Sequence, residues 1–281
     1  MNRKGKGEIV CEFIQDKATL TYVNYTFPLR LMSPKSHLSS HQSVYVITYG
    51  GGLLSTDIIE LSIQIKDHCS FSLLSQASTK VYKRIHQDDY SKQHLLVQVG
   101  EDALMALLPE PITCFKNAAY RQRQQFNLKK SSSIIILDWL TCGRASRGEI
   151  WEFDHYFSEN KIYIDDQLII RDSWLLESNV QESLKTKLGV YQCYANLILV
   201  GSKLNQVVER IQQNEKLMKI YRSNDKKPLD IIWSSSLIDV DGISVGMMVR
   251  IGSLDTIGMR QFLIDTLNPI QHELGNLFSR I

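Results

Sequence analysis

Residues 58–66 read Ile-Ile-Glu-Leu-Ser-Ile-Gln-Ile-Lys, with Ile59, Leu61, Ile63 and Ile65 at every second position and polar residues between them. Successive side chains of a strand point to opposite faces, so this run has one buried and one wet side. Comparable apolar or β-branched runs occupy 44–49, 70–74, 94–99, 126–129, 134–139, 150–156 and 162–170, and a looser alternation covers 8–30. Turn-forming breaks recur at intervals of about 10 residues, the spacing of many short strands joined by turns. The pattern predicts a mainly β chain of largely antiparallel strands in stacked, sandwich-like sheets.

Helical spacing enters late. In 202–222, Leu204, Val207, Val208, Ile211 and Met218 fall near a helical period, and Ser202 is placed to cap the N-terminus. Strand pattern returns over 228–241 and 243–251. A terminal helical region then spans 256–278, with Asp255 as its N-cap and Pro269 as an interruption. These pieces make one domain over 1–281: strand-rich from 8 to 200, then helix, strands and terminal helix.

Of the 281 residues 43% are apolar, enough for a large core, and 32 basic against 30 acidic residues leave a net charge of +2. That balance points away from a nucleic-acid or anionic-membrane partner. No apolar stretch approaches the roughly 20 residues that span a bilayer. The five cysteines are odd in number and scattered, which favours reduced thiols and a cytoplasmic protein.

Chemistry-bearing motifs are few. Gly242-Ile-Ser244-Val-Gly246 fits the G-x-S-x-G nucleophile pattern, and Asp255, Asp265 and His272 follow in hydrolase order. The mechanism needs Ser244 on a strained strand-to-helix turn, but Met247 to Ile251 continue as a strand. Gly50-Gly51-Gly52 lacks the Gly-Lys-Ser/Thr of a phosphate loop and reads as a sharp connection. His37 and His41 share an i, i+4 spacing in a Pro- and Ser-rich segment, and His68-Cys69 are neighbours that a strand would point apart. No closed metal cage results, although Asp57, Asp138 and Glu149 could touch a hydrated divalent ion. Residues 138–151 place two acids, two glycines and two arginines between apolar runs, which predicts two strands joined by a charge-dense hairpin.

Several segments, taken in order, resemble the urease accessory protein D family (UreD, also called UreH). They are Tyr49-Gly-Gly51-Gly52-Leu-Leu-Ser-Thr-Asp57, Gln76-Ala-Ser-Thr79-Lys80-Val-Tyr82 and Leu108-Pro109-Glu-Pro-Ile-Thr-Cys-Phe115. The turn Gly143, Arg144, Gly148 and Glu149 follows, then Arg171 with Leu175, then Gly246-Met-Met-Val-Arg250-Ile-Gly252. Thr56 stands where the family often has Gly, Asp138 where Glu is expected, and 275–281 depart from a Pro-Arg-aromatic ending.

The resemblance implies a mostly β, non-catalytic scaffold that joins a helical UreF-type protein and a UreG-type GTPase on apo-urease. It also implies no tightly bound cofactor, with nickel only in transit. Asp57, Asp138 and Glu149 become candidates for the nickel path, and the signature residues, Arg250 included, for partner surface. The other readings are a serine hydrolase using Ser244 and a β-rich interaction module unrelated to urease.

Overall fold

In the computed structural model, which describes residues 3–35, 38–178, 182–221 and 229–274, the chain winds between two sheets. A hairpin of β1 (Lys4–Ile14) and β2 (Lys17–Tyr25) opens the first sheet; β3 (Leu29–Met32) and β4 (His41–Thr48) open the second. After the short corner strand β5 (Gly52–Leu53), β6 (Ile58–Ile65) lies in the first sheet and β7 (Ser70–Ser75) in the second. A second corner strand, β8 (Thr79–Val81), leads to β9 (Ser91–Val99) and β10 (Leu104–Leu108), again one in each sheet. The third, β11 (Ile112–Cys114), leads to β12 (Ala119–Leu128) and β13 (Ser133–Thr141). A last crossing brings β14 (His155–Ile164), which turns back as β15 (Gln167–Glu177). β16 (Cys193–Val200), β17 (Ile231–Val240) and β18 (Ile243–Ser253) extend the second sheet.

The mainly β class and the two sheets are as expected, but the pairing is mixed. In the first sheet β1, β6, β9, β12 and β14 are parallel neighbours, and in the second β4, β7, β10 and β13 are. Antiparallel pairs sit at the ends of each sheet. The reason is the winding. Each strand returns to its sheet only after a visit to the opposite one, so it re-enters in the same direction. A parallel connection is usually made by a helix; here a strand of the facing sheet makes it. Alternation along a strand reports its faces and carries no information about the direction of its neighbour.

One set of corners is tight and stacked. Gly100 donates its N–H to the Ile65 carbonyl at 2.8 Å, and the Glu101 N–H bonds Asp67 Oδ1 at 2.8 Å. The Asp102 N–H bonds Ser131 Oγ at 3.0 Å, tying the next corner on. The corners at the opposite end are long and carry the motifs singled out above.

Apolar side chains of both sheets, among them Ile9, Ile63, Phe71, Phe126 and Ile136, meet in one buried cluster. The outer face of the second sheet has its own core, where Leu104, Leu137 and Leu199 pack with helical Val207, Ile211, Leu263 and Leu267. Each fully buried side chain of this kind contributes about 1.5–3 kcal/mol. β13 is therefore buried at every position, which explains the apolar run 134–137 on both of its faces. The covering helices are α2 (Asn205–Tyr221) and α3 (Thr256–Leu267); a five-residue α1 (Leu184–Leu188) precedes them. Asp255 caps α3 as expected, accepting from the Gly258 N–H at 2.7 Å. Pro269 breaks the region into a 3-10 turn before α4 (Gln271–Leu274). Ser202 is not the cap expected: it begins a 3-10 turn that leads into α2. Residues 222 and 228, the side chain of Met218, and 275–281 lie outside what is described. Among the described residues no helix is long and apolar enough to cross a membrane.

Candidate functional site

Because the chain winds, four corners far apart in sequence lie side by side at one end. β5 pairs with β8, β8 with β11, and β11 with β13, all parallel. Leu53, Val81 and Cys114 form the inward row of this ladder and are buried. Gly52, Lys80, Thr113 and Thr141 form the alternate row, and the Thr113 and Thr141 hydroxyls bond at 2.9 Å. A Cβ on Gly52 would overlap the Lys80 carbonyl oxygen, so the strands meet at this distance only with glycine. Three of the sequence signatures thus share one small sheet.

The fourth signature wraps its edge, and it is not a hairpin. β13 and β14 belong to different sheets, and residues 142–154 carry the crossing. Gly143 has φ +116°, and a Cβ added to it would lie 3.1 Å from the Glu149 carbonyl oxygen and 3.2 Å from that of Cys114. A 3-10 turn, Ala145–Arg147, follows and closes at Gly148 with φ +79°. Arg144 donates Nε–H to Glu149 Oε2 at 2.8 Å and a second bond to Oε1, while its guanidinium lies 4.3 Å from the centre of the Phe115 ring. The Arg144 bonds hold the Glu149 carboxyl below its usual range, aided by the Lys116 N–H at 3.3 Å. Phe115 in turn meets Tyr82 edge-on at 5.2 Å. Trp151 is buried with φ +58°, a strained backbone for so bulky a residue, held by its indole N–H on the Tyr191 carbonyl at 3.1 Å.

Asp57 ends the first corner, where it is buried and doubly bonded by Arg3 (Nε to Oδ1, 2.8 Å) and accepts the Leu54 N–H at 2.8 Å. Its carboxylate serves a turn and an ion pair. Thr56 before it has φ +69°, the left-handed conformation that glycine adopts freely. Pro109 accepts the Trp139 indole N–H at 2.7 Å, and Glu110 pairs with Arg260 of α3. Between this pair and the ladder lies an open cavity of ≈ 620 Å³, lined by Ser78, Thr113, Thr141, Gly143, Gln192 and Asp255 among others.

Asp138 lies elsewhere. It is buried between the sheets, in the middle of β13, five residues before Gly143 and outside the ladder's pairing. Ser158, Asn160 (3.0 Å), Tyr156 (3.3 Å) and Gln122 (3.4 Å) all donate to its carboxylate. Burial raises its pKa, and these bonds oppose the rise. A second polar group follows: the Asn196 amide bonds Asp172 at 2.7 Å, and Arg250 lies 3.5 Å from Asp172. Arg250 is therefore an ion-pair partner at the far end of this polar strip, away from the corner ladder. Two buried amide oxygens in the strip, Asn160 Oδ1 and Asn196 Oδ1, have no hydrogen-bond partner among the described residues. A cavity of ≈ 90 Å³ adjoins it, lined by Thr79, Gln93, Pro109, Gln122 and Asp138 among others, so the strip and the corner ladder share a wall.

Sequence reasoning missed Arg3, Arg260 and the partners of Asp138. The signal for the last was present: Tyr156, Ser158 and Asn160 sit at every second position of β14, a polar stripe on an inward face.

The hydrolase constellation is not assembled. Ser244 is an exposed residue of the β17–β18 hairpin, paired in register with Asp239. Asp255 caps α3, Asp265 accepts from Gln261, and His272 bonds the Pro269 carbonyl. His41 is buried against Ser72 at 2.9 Å, and His37 lies outside the described residues. Among the described residues no group of three or more His, Cys, Asp or Glu side chains is arranged to hold a metal ion.

A family model described as UreD urease accessory protein matches residues 3–279. Urease accessory protein D of Oryza sativa subsp. indica is 34% identical over 286 aligned residues, covering 96% of this chain and 93% of the relative. That of Arabidopsis thaliana is 34% identical over 290, covering 96% and 97%. A ureD-like urease accessory protein of Schizosaccharomyces pombe is 30% identical over 294, covering 99% of each. Matches of this length, on a chain whose winding gathers the signature corners into one surface, make it a member of the urease accessory protein D family.

Proposed function

We propose that this chain acts in the cytoplasm in urease maturation, as a scaffold that docks on apo-urease with a UreF-type protein and a UreG-type GTPase and assists nickel delivery. The observation that carries this reading is the corner ladder. Four separate signatures converge on one surface whose residues are held by ion pairs and turns, an arrangement suited to recognition. The family match leaves little room for an unrelated interaction module.

Nickel is cargo in this reading. Of the three candidate acids, Asp57 and Glu149 are committed to arginines, while Asp138 lies in a polar strip between the sheets. Oxygen donors that already hydrogen-bond to neighbours bind a hydrated divalent ion weakly, which permits exchange. We therefore assign any internal route to the strip around Asp138, and a shaping role to Asp57 and Glu149.

The test is reconstitution of apo-urease with both partners, nickel and GTP, with and without this chain. Activation should depend on the chain. Equal urease activity in both mixtures would overturn the proposal. Asp138→Ala should lower activation with assembly intact; unchanged activation would remove the route from this strip.

A further inference from the structure

We propose that the outer face of the first sheet is a docking groove for an acidic segment of a protein partner. The parallel register of β1, β6, β9, β12 and β14, with β15 beside them, lines their outward residues up in straight rows. One row carries Lys4, Lys92 and Arg121; the next carries Lys6 and Arg123 with Glu60 and Glu159; the third carries Lys161 and Arg171 with Glu8. Seven cations against three carboxylates leave a surplus of four positive charges in these three rows, in a chain whose total is +2.

The surplus is focused. The Glu159 carboxylate, 7% exposed, has Arg171 Nε at 2.9 Å, Lys161 Nζ at 3.6 Å and Arg123 Nε at 3.8 Å. One carboxylate cannot neutralise three cations, and the Arg123 and Arg171 side chains remain 61% exposed. Each guanidinium has five N–H donors in a fork that matches a carboxylate. Around them the face dips into a groove of ≈ 670 Å³ whose wall includes Lys6, His94, Leu96, Arg123 and Lys161.

Four inter-strand gaps separate β1 from β14, about 19 Å, a span that about six extended residues cross. A polypeptide suits the groove better than a nucleic acid. Glu8 and Glu60 stand among the cations and would repel a continuous line of phosphates, whereas half-exposed Leu96 offers contact to an apolar side chain. Isolated surface ion pairs are worth little; the groove differs in having more cations than acids to pair with them.

The test uses the full chain and a fluorescein-labelled peptide of about ten residues, Glu-rich with interspersed Leu. Binding by anisotropy should weaken with salt and fall about tenfold in Arg123→Gln with Lys161→Gln. It should be unchanged in Lys185→Gln with Lys187→Gln, the same charge loss on exposed α1. Thermal unfolding of both double variants shows whether they are folded, and Arg123→Lys, which keeps the charge, should retain most of the binding. Equal loss in the two double variants, or no loss in the first, overturns the proposal. So does tighter binding of an oligodeoxynucleotide of equal charge through Arg123 and Lys161. Urease activation plays no part in this assay, so its failure leaves the proposed function standing.

Discussion

Thr56 shows how a single residue reads differently in sequence and in space. A glycine-like conformation at φ +69° costs a residue with a side chain about 1–2 kcal/mol, of which glycine's greater freedom in the unfolded chain returns a part. Thr56→Gly should therefore raise stability by about 0.5–1 kcal/mol, measured by urea unfolding. His41 makes a second prediction. Burial pushes its pKa down to about 4, against about 6.5 in the unfolded chain. The folded state resists protonation, so this histidine's contribution is complete above pH 6.5 and is lost as pH falls towards 4. Between pH 7 and 4.5 the wild type should lose about 2–3 kcal/mol more stability than His41→Gln. The identities of Asp57, Arg144 and Glu149 were legible as charged turn residues. Their partners were not, because Arg3 is 54 positions from Asp57 and only the fold brings them together.

At the scale of elements, the strands and the late helices were legible because alternation and helical spacing are local. The direction of pairing was not, since a parallel coil and an antiparallel meander put the same faces inward. The apolar runs around 138–151 suggested a hairpin for the same reason: nothing within the segment says that the second strand belongs to the other sheet. The corner strands β5, β8 and β11 are only two or three residues long, too short to carry a period of their own. Their pairing depends on close approach at Gly52. Gly52→Ala should cost about 1–3 kcal/mol by overpacking against the Lys80 carbonyl, and the loss should exceed that for Asp255→Ala, a helix cap worth about 1 kcal/mol. Comparable urea midpoints for the two variants would count against the ladder as a tightly packed unit.

Across the whole molecule, one geometric fact organises the rest. A chain that crosses repeatedly between two sheets from β4 to β14 stacks its corners, so residues from four distant segments become neighbours on one end while the opposite corners stay short. That gathering was visible in the sequence only as an ordered set of family-like signatures; their convergence required the winding. Lys80 tests the gathered surface most directly, because it is exposed on the ladder's outward row. In the reconstituted mixture of apo-urease, both accessory partners, nickel and GTP, Lys80→Glu should lower urease activation about tenfold, the effect of losing one well-placed contact. Its thermal unfolding should match the wild type. Full activation by a folded Lys80→Glu chain would contradict a role for the corner surface in urease maturation.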